Sequence, residues 1–123
     1  MTGNVVSLSD FRQVKNNDRR AAERLKFPYP ERPMLEIKSL LCKVINVSES
    51  GVKFMTHPSL RIEEGAVVAG NICFQEAGDI FVIGKAVRVV GDLVCIHLFT
   101  DIPEHAINQE KTRLESLESE ASQ

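Results

Sequence analysis

The sequence predicts a mainly β fold: about six antiparallel strands closed into a small barrel or packed as a sandwich, with an N-terminal arm and a C-terminal α-helix. Residues 34–99 are rich in Val, Ile and Phe, and turn residues such as Gly, Asp and Asn separate the apolar runs. The joins between runs are short, so neighbouring strands should be antiparallel. No helical segment separates the runs, and closing such a sheet removes its exposed edges.

The apolar runs locate the individual strands. We expect strands at residues 34–39, 41–47, 51–56, 66–75, 80–90 and 93–99. Turns at 46–51, 77–79 and 91–92 join three of the neighbouring pairs. Residues 93–96 are apolar on both faces of the last strand, so we expect one face to lie under the arm, the final helix or a partner subunit.

The flanking segments differ from the strands in composition. We expect residues 1–33 to form a flexible N-terminal arm rather than part of the barrel. Three prolines near its end favour extended backbone. Residues 34–100 form the barrel, and a helix is expected over 101–118, with Asp101 as its N-cap residue and Glu104 completing a capping box. The polar residues 119–123 are predicted to be disordered. Together these segments form one domain.

Charge is distributed unevenly along the 123 residues, although the net charge is only −2. Seven basic and three acidic residues lie between Arg12 and Arg32, whereas two basic and six acidic residues follow from Asp101 onward. The acidic overall balance argues against a general nucleic-acid binder, which usually carries a strongly basic face. A basic arm near one end of the sequence and an acidic segment at the other instead indicate a local anionic partner.

Cysteine and histidine usage indicates a binding protein of the cytoplasm. The three cysteines, Cys42, Cys73 and Cys95, lie singly in apolar runs without metal-ligand spacing, as expected of buried free thiols in a reducing compartment. The chain shows neither a signal-peptide pattern nor an apolar run long enough to span a membrane. Its histidines are scattered and no nucleophile setting is recognisable, so we expect no enzymatic activity, no metal and no cofactor.

Two short segments carry groups that one ligand could use together. Residues 46–51 read N-V-S-E-S-G, which alone is an ordinary hairpin turn, and residues 19–24 read R-R-A-A-E-R, which alone is a solvated basic linker. Arginine makes bidentate contacts to phosphate and to the O6/N7 edge of guanine. The amide and hydroxyl of the turn could contact a base edge or sugar, and its glycine lets a flat ring approach the backbone. A ligand with two phosphates and guanines would use all these groups.

In this combination the chain resembles the PilZ domain, a bacterial receptor for cyclic di-GMP. The family signature is R-x-x-x-R followed, some twenty to thirty residues later, by [D/N]-x-S-x-x-G, and the resemblance covers roughly residues 19–117. It implies a split antiparallel barrel, with an arm that folds over the ligand and orders when it binds. By position, it implies that Arg20 and Arg24 hold phosphate and guanine. It implies further that Asn46 and Ser48 form hydrogen bonds with a guanine and adjacent ligand groups, and that Gly51 leaves room for the ligand.

Arg19 precedes the first motif arginine, as in the subgroup that binds an intercalated pair of cyclic di-GMP molecules. The resemblance therefore implies one or two ligand molecules, and it implies an unidentified downstream protein partner, with the receptor a monomer or homodimer. One alternative is an adaptor of the same fold that binds protein and no nucleotide. Another is a single-stranded nucleic-acid binder, which the absence of Trp and the single Tyr rank last.

Overall fold

A computed structural model describes residues 24–121 of the chain, with side chains through residue 118. The elements, in chain order, are β1 (Leu25–Lys26), a 3₁₀ turn (Tyr29–Glu31), β2 (Met34–Ile37), β3 (Leu40–Val47), β4 (Gly51–Met55), β5 (Val67–Phe74), β6 (Gly78–Val90), β7 (Leu93–Leu98) and α1 (Glu104–Ala121). Arg19 and Arg20 lie outside these residues.

Six of the strands form a closed antiparallel barrel. The hydrogen-bonded order is β3, β2, β5, β6, β7 and β4, and β4 pairs again with β3. In that closing pair Val44 lies opposite Phe54 and Val47 lies opposite Val52. The prediction of a mainly β fold, with a six-stranded antiparallel barrel and a C-terminal helix, is confirmed.

The seventh strand, β1, lies outside the barrel and pairs with the same edge of β3 as β2 does. Leu25 of β1 pairs with Val47 at the end of β3, whereas β2 pairs with residues 40–43 of the same strand. Between these two pairings the Phe27 N–H donates to the Ile45 carbonyl at 3.0 Å. The N-terminal segment is therefore attached to β3 by backbone hydrogen bonds beside the residue 46–51 turn.

The barrel interior is filled by alternate strand residues. Those exposed by no more than 1% are Leu35, Cys42, Val44, Val47, Val52, Phe54, Ile72, Ala86, Val94 and Ile96. Phe27 adds a ring from the N-terminal segment, with its centroid 6.3 Å from that of Phe74 and 3% of its surface exposed. Each large apolar side chain buried in this way stabilises the fold by ~1.5–3 kcal/mol. Part of the N-terminal segment thus belongs to the core.

The hairpin between β2 and β3 turns in only two residues. Ile37 pairs with Leu40, and the intervening Lys38 and Ser39 both have positive φ angles, 52° and 69°. This geometry matches the right-handed twist of the strands, but it is usually occupied by Asn-Gly. The sequence therefore carried no turn signal at this position.

Helix α1 follows an extended connection from β7. The Ile102 N–H donates to the Glu49 carbonyl at 2.8 Å and its side chain is 1% exposed, so this residue is held in the core. The helix consequently begins at Glu104, three residues after the predicted N-cap residue Asp101. It ends at Ala121, so the predictions that the helix stops at residue 118 and that residues 119–121 are disordered are wrong. Within residues 24–121 no helix is long and apolar enough to cross a membrane.

A fully buried carboxylate, that of Glu110, fastens α1 to two other parts of the fold. Its Oε2 accepts from the backbone N–H groups of Glu76 at 2.7 Å and Ala77 at 2.9 Å, in the turn between β5 and β6. Its Oε1 accepts from the Arg113 guanidinium, which also donates to Glu31 Oε1 at 2.7 Å. Burial lowers the pKa of Arg113, but the hydrogen bond to Glu31 and the charge of Glu110 raise it overall.

We expect Glu110→Ala to destabilise the fold by ~3 kcal/mol, because it leaves two turn N–H groups without an acceptor and the Arg113 guanidinium with Glu31 as its one remaining carboxylate partner. Urea unfolding measures the change. Glu115→Ala, at an exposed position of the same helix, is the matched control and should change the unfolding free energy by less than ~0.5 kcal/mol. Equal losses in the two variants would show that the buried network adds nothing to stability.

Candidate functional site

The side chains of Arg24 and Asn46 meet on the outer surface of the barrel. Arg24 Nη1 donates a hydrogen bond to Asn46 Oδ1 at 2.8 Å, and Asn46 is 7% exposed. The contact follows from strand register, because Lys26 of β1 lies opposite Asn46 and Arg24 stands directly before β1. Pairing of β1 with β3 thereby brings together two segments 22 residues apart in sequence.

Gly51 lies directly under the Arg24 guanidinium. A Cβ atom at this glycine would lie 3.0 Å from Arg24 Nη2, 3.3 Å from the Ile96 carbonyl oxygen and 3.5 Å from Ser48 Oγ. The φ angle of Gly51 is not positive, so backbone freedom is not the reason for glycine here. The reason is space, since a side chain would push against a fixed carbonyl and displace the arginine.

The turn between β3 and β4 is held from both sides. The Ser48 N–H donates to the Gly51 carbonyl at 2.9 Å and closes the hairpin, and Ser48 itself is 3% exposed. The Leu98 N–H donates to the Ser50 carbonyl at 2.8 Å, tying the turn to the end of β7. These bonds fix the turn before any ligand arrives, so little ordering of the hairpin is required on binding.

The site offers mainly hydrogen-bond donors. Arginine can only donate, so the Asn46 oxygen faces Arg24 and the Asn46 amide NH₂ remains for another partner. The Arg24 guanidinium has further N–H groups beyond the one bound to Asn46. A donor-rich surface over a glycine fits a flat ligand with many acceptors, such as phosphate oxygens and the O6/N7 edge of guanine.

Carboxylates lie close together behind the turn. Burial raises the pKa of Glu49, and the negative charges of Glu104 and Asp101 raise it further. The three side chains come from the hairpin, the first turn of α1 and the connection before it.

Four of the six residues predicted for the site are described, and they lie together: Arg24, Asn46, Ser48 and Gly51. Their neighbours on the outer face belong to neither motif, because strand register rather than motif spacing places them beside the site. Lys53 lies opposite Asn46, and His97 lies opposite Gly51. The sequence pattern does indicate these two positions, because both are basic residues at outward positions of strands in which buried and outward side chains alternate. In residues 24–121 no group of His, Cys, Asp or Glu is arranged to hold a metal ion.

The pKa of Glu49 predicts a pH dependence of stability. Because this pKa is raised in the folded state, the carboxyl contributes stability that is fully present below its ordinary pKa and is lost as the pH rises through the raised pKa. Glu49→Gln removes that loss, so we expect its melting temperature to exceed that of the wild type by more at pH 7 than at pH 4. Calorimetric melting at both pH values measures this. The exposed Glu63→Gln is the control, and an equal Glu49→Gln difference at both pH values would contradict the prediction.

Comparison with known proteins identifies the family. A model of the PilZ domain matches residues 18–116, a span that includes Arg24 and the whole β3–β4 hairpin. No curated protein matches the chain. Among solved structures, an uncharacterised Legionella protein is similar over 82% of this chain and 99% of its own, at 16% identity and a TM-score of 0.48, a likeness too weak to carry an inference. The family match spans most of the chain, and the protein therefore belongs to the PilZ domain family, in general a family of non-enzymatic, cyclic di-GMP-binding domains.

Proposed function

We propose that this protein is a receptor for cyclic di-GMP that acts by binding, without enzymatic activity, in the cytoplasm. The single observation that supports the proposal most is the Arg24–Asn46 hydrogen bond over Gly51. It joins the last arginine of the first motif to the first residue of the second motif, at a position that leaves further N–H groups of both side chains for a ligand. The ligand is proposed to lie on Gly51, between Arg24 and the hairpin.

Each group has a defined role in this proposal. Arg24 donates to a phosphate or to the O6/N7 edge of a guanine, in the bidentate geometry that guanidinium groups favour. Asn46 orients Arg24 through its oxygen and donates to the ligand through its NH₂ group. Ser48 contributes a hydroxyl, and Gly51 leaves the space that a purine ring needs. These roles sharpen the sequence prediction, in which Asn46 contacts guanine directly.

Arg20 and Arg19, upstream of Arg24, are proposed to close over the ligand. Arg20 stands four residues before Arg24, so the two guanidinium groups share one side of the chain if the segment coils. Arg19 is proposed to stack on a purine of a second ligand molecule. The arm is proposed to order when the ligand bridges these arginines to the hairpin, changing the surface offered to a downstream protein.

A protein-binding adaptor is the second candidate, and an exposed apolar area favours it. Phe81 is 63% exposed and Phe99 is 58% exposed, both on the outer face of the sheet. Phe99 lies beside Ile83, because its N–H donates to the Ile83 carbonyl at 2.9 Å. Clustered aromatic residues on an open face are typical of protein contacts. An adaptor would use this face whether or not nucleotide binds.

Calorimetric titration with cyclic di-GMP separates the two candidates. We expect the wild-type chain to bind, and Arg20→Ala and Arg24→Ala each to lose at least ~1.5 kcal/mol of binding free energy, the lower end for hydrogen bonds to charged groups. Gly51→Ala should weaken binding as well, because the new methyl group displaces Arg24. Asn46→Ala should weaken binding more than Asn46→Asp, which keeps an acceptor for Arg24.

Arg61→Ala is the matched control. It removes the same charge from an exposed residue in the loop after β4, at the far end of that strand from Gly51, and should leave the affinity unchanged. Circular dichroism shows whether each variant is folded. A folded wild-type chain that gives no binding heat would contradict the receptor proposal and favour the adaptor.

A further inference from the structure

The outer face of the barrel beside the candidate site is lined by basic side chains. Strand register sets a first row that starts at the site: Gly51 of β4 lies opposite His97 of β7, and His97 lies opposite Lys85 of β6. Neighbouring strands are ~4.8 Å apart, so the backbones of His97 and Lys85 lie ~5 and ~10 Å from Gly51. Both side chains are exposed on the same face as the Arg24 guanidinium.

A second row runs parallel to the first. Asn46 lies opposite Lys53, Lys53 lies opposite Cys95, and Cys95 lies opposite Arg88. A register shift between Ala86 and Arg88 turns Arg88 to the outer face, where it is exposed. The two rows are two residues apart along β4 and β7, or ~7 Å, and three residues apart along β6, where the register shifts. We refer to Lys53, Lys85, Arg88 and His97 together as the basic face.

Around the basic face, the outward positions of β4 and β7, and those of residues 83–90 in β6, include no Asp or Glu. The Glu64 carboxylate lies beside only one member of the basic face, Arg88, where Glu64 Oε2 accepts from the Val89 N–H at 3.2 Å. Within the described part of the chain, no hydrogen bond or ion pair engages these four side chains. This contrasts with Arg113, which binds two carboxylates, and with Lys43, which lies 5.0 Å from the centroid of the Tyr29 ring. Exposed lysine side chains without a hydrogen-bonded carboxylate favour an anion on this face of an acidic protein.

We propose that the basic face is a second phosphate subsite that holds the distal half of the dinucleotide. This inference rests on the proposed function and extends it. Cyclic di-GMP carries two phosphate groups on opposite sides of its ring, and Arg24 can serve one of them. A ligand seated on Gly51 extends over β7 toward β6, where His97 and Lys85 donate to the second phosphate. Lys53 and Arg88 add positive potential from the parallel row.

Charge substitutions at Lys85 test the subsite. In 0.1 M salt we expect Lys85→Ala to weaken cyclic di-GMP binding about 10-fold and Lys85→Glu to weaken it further. Raising the salt to 1 M shortens the Debye length from ~10 to ~3 Å, so the Lys85→Ala effect should fall below about 3-fold. Arg61→Ala and Arg61→Glu make the same charge changes away from the site and serve as controls. Melting temperatures show that the variants remain folded.

The outcomes separate this proposal from the one on which it rests. Failure of the wild-type chain to bind overturns the proposed function and the subsite with it. If the wild type binds and Arg24→Ala weakens binding, while Lys85→Ala and Lys85→Glu match the Arg61 controls, only the subsite is overturned, and the basic face is then available for an acidic protein segment. A Lys85→Ala loss that is equally large in 0.1 M and 1 M salt also overturns it.

Discussion

Backbone pairing along β3 is the constraint on which the rest of the structure depends. This strand pairs with β2 and β1 on one edge and with β4 on the other. The pairings with β2 and β4 close the barrel, and the pairing with β1 fixes the N-terminal segment. Because Leu25 and Lys26 pair with the last two residues of β3, Arg24 must stand beside the turn that follows. The candidate site is thus a consequence of how the barrel is closed.

Much of the fold could be predicted from sequence, because the hydrophobic pattern of a small barrel is local. Alternating Val, Ile and Phe runs located all six barrel strands, and Gly91-Asp92 marked one turn clearly. The Lys38-Ser39 turn could not be predicted, since neither residue favours the positive φ that the hairpin imposes. The start of α1 was misplaced for a related reason: a tertiary hydrogen bond from Ile102 to Glu49 overrides the local capping signal of Asp101.

The motif residues could be found from spacing, but the way they act together needed the structure. Spacing alone cannot show that the Asn46 oxygen binds Arg24, which makes Asn46 partly an orienting residue. Nor can it show that position 51 requires glycine because a side chain would collide with its neighbours, rather than because the backbone adopts a positive φ angle. Most of the Glu110 network was also invisible in sequence. Arg113 follows Glu110 by only three residues, but the other partners of Glu110 are the backbone N–H groups of Glu76 and Ala77, more than thirty positions away. Contacts that depend on register or on buried backbone have no local signature.

The proposed receptor function requires that the ligand joins the arginine segment to the β3–β4 hairpin. Backbone hydrogen exchange of the full chain, with and without saturating cyclic di-GMP, measures this directly. We expect the amides of residues 18–24 and 46–51 to exchange at least ~10-fold more slowly with ligand, while those of residues 56–65 are unchanged. Slower exchange in the hairpin alone, with residues 18–24 unaffected by bound ligand, would contradict this expectation.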